Sequence, residues 1–168
     1  GIAMTRVEEG DSPNYLFVYL EIDRDTQPGV LDIVFSEGEY TINRAYELRQ
    51  KDPDPGHVKG PTAADSIYLV MTDRFANGDP NNDQQMGMLD MSLNRQEGYH
   101  RHGGDIRGII DHLDYLADMG FTALWSSPLL ENNMPEASYH GYAITDYYKV
   151  DPRFGTNKEY RELADKAR

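Results

Sequence analysis

Residues 77–83 read NGDPNND, and five of the seven side chains end in an oxygen donor. A hard cation such as Ca2+ takes roughly 6–8 oxygens, backbone carbonyls included. Asn77, Asp79, Asn82 and Asp83 can all face one centre if the loop curls, and Gly78 and Pro80 permit the curl. The stretch HGGD at 102–105 can complete the shell with a glycine carbonyl and the Asp105 carboxylate. The spacing is not that of an EF-hand, which requires a glutamate at its twelfth position. The same residues also suit a metal-free loop built on Asx turns, with Asp105 as a simple helix cap. The residue types leave both readings open.

A second stretch, SYHGYAITDYYKVDPRFGT at 138–156, combines five tyrosine or phenylalanine rings with His140, Asp146 and Asp151. Aromatic faces beside carboxylates suit sugars, whose C–H faces stack on rings while their hydroxyls bond to acids. Packing accounts better for Tyr147, Tyr148 and Phe154. Tyr142, between Gly141 and Ala143, is the candidate for an exposed ring. The histidines show no H-E-x-x-H spacing, and no G-x-S-x-G elbow, phosphate loop or dinucleotide fingerprint occurs. No residue of this chain is nominated as catalytic.

The elements that must position these residues change character along the chain. Residues 14–22, 30–35 and 40–49 are rich in aromatic and β-branched types separated by turn signals, which predicts an antiparallel meander of the sandwich kind. Residues 51–65 hold three prolines and two glycines and read as a linker. SIYLVM at 66–71 predicts a strand buried on both faces, followed by a long polar loop. Ile106, Ile109, Ile110, Leu113 and Leu116 share a helical face across 106–119, with Asp105 and Gly120 at cap positions. FTALWSS at 121–127 predicts the next strand. Thr156 and Glu159 form a capping box for a last helix that faces Tyr160, Leu163, Ala164 and Ala167 inward. Strand, loop, helix, strand, loop, helix is a parallel βα pattern, with its functional loops after the strands.

Composition narrows the function classes. Lys and Arg number 16 against 29 Asp and Glu in 168 residues, a formal charge of −13. That surface repels phosphate backbones, so no nucleic-acid role is expected. No apolar run approaches the roughly 20 residues of a membrane span. Cysteine is absent, which excludes disulfides and thiolate metal sites.

Taken together, DSIYLVMTDRFANGDPNND, HRHGGDIRGIIDHLDYLADMGFTALWSSPLLEN and YHGYAITDYYKVDPRFGTNKEYRELADKAR resemble the α-amylase superfamily, glycoside hydrolase family thirteen, in its neopullulanase and cyclomaltodextrinase branch. PNYLFVYLEI and GVLDIVF resemble, more loosely, the sandwich domain that precedes the barrel there. The resemblance implies an α/β fold: residues 1–50 as the end of an immunoglobulin-like β-sandwich, 51–65 as linker, and 66–168 as the first two βα units of an incomplete (β/α)8 TIM barrel. It implies a Ca2+ held by Asn77, Asp79, Asn82, Asp83, the Gly103 carbonyl and Asp105. It places Tyr142 under the sugar at the cleaved bond, with His140 lining the same subsite.

The implied activity of the full-length enzyme is retaining hydrolysis of α-1,4 glucosidic bonds in starch-derived glucans, with α-1,6 bonds as a second option. The family's catalytic acids lie on later strands, so this chain alone is expected to be inactive and prone to aggregate at its open edges. A calcium-dependent glucan-binding module without catalysis is the alternative. A periplasmic or extracellular site suits calcium and polymeric glucan, with the cytoplasm as the other option, and a dimer of the full-length enzyme is compatible with the branch.

Overall fold

The structure is a computed structural model, and it describes residues 1–51 and 60–168. Most of the linker expected over 51–65 lies outside the described residues. The chain forms two compact units, Gly1–Lys59 and Gly60–Arg168.

The first unit is built from two antiparallel hairpins. Strand β1 (Ile2–Glu9) pairs with β2 (Leu16–Ile22), with a register shift between Met4 and Arg6. Strand β3 (Gly29–Glu37) pairs with β4 (Tyr40–Leu48) through a tight turn in which Gly38 adopts φ +58°. Two-residue hairpin turns need positive φ, which glycine supplies without steric cost. β1 was not among the expected strands. Thr5, Arg6, Glu8 and Glu9 interrupt its apolar pattern, and it gains strand form by pairing with β2. The expected continuous meander is corrected to two separate two-stranded sheets: no ladder joins β2 to β3 among the described residues. No described residue of this unit is fully buried.

The second unit holds the core. β5 (Ile67–Val70) and β6 (Ala123–Ser126) run parallel, Leu69 opposite Trp125 and Val70 opposite Ser126. Between them lie α1 (Thr72–Phe75), α2 (Ile106–Asp111) and α3 (Leu113–Asp118). Val70, Ile106, Ile109, Ile110, Leu129, Val150, Phe154 and Leu163 form one buried cluster. The expectation that β5 is covered on both faces fails. Val70 is buried, but Ile67 and Leu69 on the other face are exposed. The helices cover one side of a two-stranded sheet, and nothing described covers the other.

The single helix expected over 106–119 is broken at His112, whose φ and ψ are −116° and 13°. Its Nδ1 lies 2.7 Å from the Gly108 carbonyl oxygen and so competes for a helical acceptor. The flanking signals behave as their chemistry predicts. Asp105 accepts from the Gly108 N–H at the N-terminus, and Gly120 closes the C-terminus at φ +89°.

The second long loop contains elements the sequence pattern did not reveal. β7 (Leu130–Glu131) pairs antiparallel with β8 (Asp146–Val150), and a 3-10 turn spans Ser138–His140. Because β7–β8 is only two strands wide, Tyr147 and Tyr148 are exposed, against the packing expected for them, while Phe154 is fully buried. The last helix, α4 (Asn157–Lys166), opens on the expected Thr156–Glu159 capping box. Leu163 alone of its four expected inward residues is buried. Tyr160, Ala164 and Ala167 face solvent, because α4 meets α2 along a narrow seam closed by the bidentate Arg107–Glu162 pair at 3.0 and 2.8 Å.

Candidate functional site

The loop after β5 folds back on the start of α2, and Asp105 is the centre of that fold. Its side chain is fully buried. Oδ1 accepts from the Gly78 and Gly108 N–H groups at 3.0 and 2.6 Å. Oδ2 accepts from the Asp79 N–H at 2.8 Å and from Asn82 Nδ2 at 3.1 Å. Asn77 Nδ2 donates to Asp83 Oδ1 at 2.6 Å. Gly103 sits against this pair at φ +86°, where a Cβ would lie 2.6 Å from Asp83 Oδ1 and 2.7 Å from Asn77 Nδ2. The structure therefore gathers Asn77, Asn82, Asp83, Gly103 and Asp105 in one place. The Asp79 backbone joins them, but its carboxylate turns away to accept from the N–H and Nδ2 of Asn81 at 3.1 and 2.8 Å, an Asx turn.

Two features of this cluster suit a cation. Asn77 Oδ1 and Asn82 Oδ1 are buried and accept no hydrogen bond, which is costly for an amide oxygen unless another partner is supplied. Burial pushes the Asp83 carboxyl above the usual carboxylate range; the Asn77 amide opposes this, and the charge of Asp105 adds to it. Among the described residues no three His, Asp or Glu side chains converge well enough to hold an ion by themselves. The oxygens brought together are instead those of amides and carboxylates, a mixture of the kind calcium takes.

The second long loop carries the aromatic pair. Tyr142 is 66% exposed. Its N–H donates to His140 Nδ1 at 2.8 Å, so Nε2 is the protonated nitrogen of a neutral His140 ring. The two rings lie 5.9 Å apart at 34°. Gly141 between them adopts φ +79°, and a Cβ there would lie 2.1 Å from the Pro128 carbonyl oxygen.

Beneath these loops lies a buried polar network that the sequence reading missed. Arg153 and Asp151 are both fully buried and paired, Nε to Oδ1 at 2.9 Å and Nη2 to Oδ2 at 2.8 Å. Arg153 also donates to the carbonyls of Asp90 and Asn132 at 2.8 and 2.9 Å. Burial pushes the Asp151 carboxyl up, and its bonds and charge contacts with Arg153 and Arg101 outweigh that and hold it below the usual range. Asp90 joins the first long loop to the second by accepting from Ser138. The sequence did carry one signal: Asp151 and Arg153 stand between Val150 and Phe154, a charged pair inside an apolar frame.

These features define a class: a parallel β/α protein whose polar, functional-looking loops follow its strands. The particular family is given by comparison. Residues 69–168 match the family model for the alpha amylase catalytic domain, and residues 1–52 match that for the cyclomaltodextrinase N-terminal domain. The chain belongs to the alpha-amylase family. It is 43% identical over 120 residues to the Beta/alpha-amylase of Paenibacillus polymyxa, an alignment covering 68% of this chain and 10% of that protein. It is 37% identical over 113 residues to the periplasmic alpha-amylase of Escherichia coli (strain K12), covering 61% of this chain and 16% of the relative. The solved structure of an Anoxybacillus alpha-amylase superposes with a TM-score of 0.55 at 42% identity, over 62% of this chain and 21% of that one. The chain thus spans 10% and 16% of the length of these two curated relatives.

Proposed function

We propose that the protein containing this chain is a retaining glycoside hydrolase of the neopullulanase and cyclomaltodextrinase type, acting on α-1,4, and in some substrates α-1,6, bonds of starch-derived glucans. In this reading residues 66–168 are the first two βα units of a (β/α)8 barrel, and the catalytic acids come from elsewhere in the protein. This chain contributes one wall of the cleft. The observation that carries the reading is the exposed Tyr142 ring beside His140, held on a loop that follows a parallel strand in a chain of this family. A ring in that position stacks on a sugar face, and the His140 Nε2–H donates to a hydroxyl. A compartment outside the cytoplasm is part of the proposal, supported by the periplasmic relative; no helix among the described residues is long and apolar enough to cross a membrane.

Calcium is part of the same proposal. Asn77, Asn82 and Asp83 would offer side-chain oxygens and Gly103 its carbonyl; Asp79 and Asp105 would join the set by exchanging hydrogen bonds that they make in this structure. The unpartnered Oδ1 atoms of Asn77 and Asn82 support it. Bound there, the ion would neutralise clustered carboxylates and tie the first loop to α2, a structural role.

The test is Tyr142→Ala in the full protein, assayed on maltodextrin, cyclodextrin and pullulan. Stacking on a sugar makes the expected loss in kcat/KM about tenfold or more, a figure equivalent to about 1.4 kcal/mol. The urea midpoint should barely move, because the ring is exposed. Unchanged kinetics would remove Tyr142 from the cleft.

A further inference from the structure

The turn that carries the aromatic pair does not hold itself. It is a three-residue 3-10 turn, Ser138–His140, bounded by Ala137 at φ +54° and Gly141 at φ +79°. A non-glycine residue in the left-handed region is strained and persists only where surrounding contacts impose it. Those contacts converge on Ser138, which is fully buried. Its N–H and its hydroxyl both donate to Asp90 Oδ2, at 3.0 and 2.8 Å, across 48 residues of chain. The hydroxyl oxygen accepts from Arg101 Nη1 at 3.2 Å, and the Ser138 carbonyl accepts from Asn132 Nδ2 at 3.3 Å.

We propose that Asp90 is a positioning residue for the glucan-contacting pair, its carboxylate clamping Ser138 and thereby fixing the orientation and tautomer of His140 and the placement of Tyr142. Asp90 is suited to this. It is 4% exposed, and its other oxygen accepts from the Ser92 N–H at 3.0 Å. Its carbonyl is held by the buried Arg153 at 2.8 Å. Burial pushes its carboxyl up, and the bonds from Ser92 and Ser138 together outweigh that, so it stays ionised at neutral pH. An anion accepting two bonds from one residue sets both the position and the rotation of that residue's backbone. The clamp also links the two long loops. Asp90 leaves the first loop, which is anchored by Asp105, and ends beneath the second loop at the turn bearing His140.

This inference rests on the reading of Tyr142 as a glucan contact, so the experiment separates the two. In the full protein, Asp90→Asn, Ser138→Ala and Tyr142→Ala are compared by calorimetric binding of a thio-linked maltotriose, whose sulfur bridges resist hydrolysis. The His140 ring is followed by 15N NMR of histidine-labelled protein, well below the melting temperature. Asp90→Asn should weaken binding about tenfold and convert the single Nε2–H tautomer of His140 to a mixture. Ser138→Ala, which removes one of the two bonds, should do the same to a smaller degree, and it serves alone if Asp90→Asn does not fold. Native affinity and an unchanged His140 signal in the folded variants would overturn the clamp. If Tyr142→Ala binds as well as the parent, the glucan reading fails; the His140 signal alone then decides whether Asp90 positions the turn.

Discussion

Asp105 shows how much one carboxylate can organise. Four donors from residues 78, 79, 82 and 108 converge on its two oxygens, so the cap of α2 and the closure of the first loop are the same interaction. A bound cation would act on the oxygens left over, Asn77 Oδ1 and Asn82 Oδ1, and on Asp83. Calcium is therefore expected to raise the melting temperature and a chelator to lower it, read by differential scanning calorimetry. No response to either would return the loop to a metal-free Asx-turn structure. The gathering of these residues was legible in the sequence because oxygen donors at short spacing, with glycine and proline between them, leave few ways to fold. The turn of the Asp79 carboxylate toward Asn81 was not legible, since either geometry uses the same residues. Asp90 was not legible either. It is one acid among 29 acidic residues, and its importance comes from burial and from a partner 48 residues away.

Between elements, α2 comes close to the chain leaving α1. Gly108 lies in the first turns of α2, and a Cβ there would lie 2.0 Å from the Ala76 carbonyl oxygen and 2.5 Å from its carbon. Helix propensity alone favours alanine over glycine by about 1 kcal/mol in a helix interior. The contact with fixed backbone opposes this, because overpacking costs about 1–3 kcal/mol. Gly108→Ala is expected to lower stability in urea denaturation; a gain would show that the two segments can move apart freely. Periodicity and capping chemistry located α2, α3 and α4 well because those signals are local. The break at His112, the strand β1 and the β7–β8 hairpin escaped because each depends on a partner. His112 competes for the Gly108 carbonyl, β1 needs β2, and a two-residue strand carries no periodicity at all. The inward face of α4 was overestimated for a related reason: apolar spacing states which residues could be buried, and the neighbour decides which of them are.

For the whole molecule, the open face of the β5–β6 sheet is the property with the largest consequence. Ile67, Leu69 and Trp125 point to one side of it, with Leu69 and Trp125 each 63% exposed and directly opposite each other. The other side, through Val70, Tyr68 and Leu124, belongs to the core. A parallel sheet with one bare apolar face is uncommon, since such sheets are normally covered on both. The bare face and the free edges favour self-association of the 168-residue chain, despite a formal charge of −13. Trp125 is the only tryptophan, so its fluorescence reports this face directly. In the isolated chain at low concentration its emission should be that of a solvated indole, shifting to the blue as the chain associates. The double substitution Leu69→Ser, Trp125→Ser should reduce light scattering while changing the unfolding free energy, from urea denaturation followed by circular dichroism, by no more than about 0.5 kcal/mol, as is usual for exposed positions. In the full protein the proposed barrel puts further strands around this face. There the same pair should be strongly destabilising, because each side chain would leave a buried site. Equal and small effects in both contexts would mean that the face stays open in the full protein, and the barrel placement of β5 and β6 would fall with it.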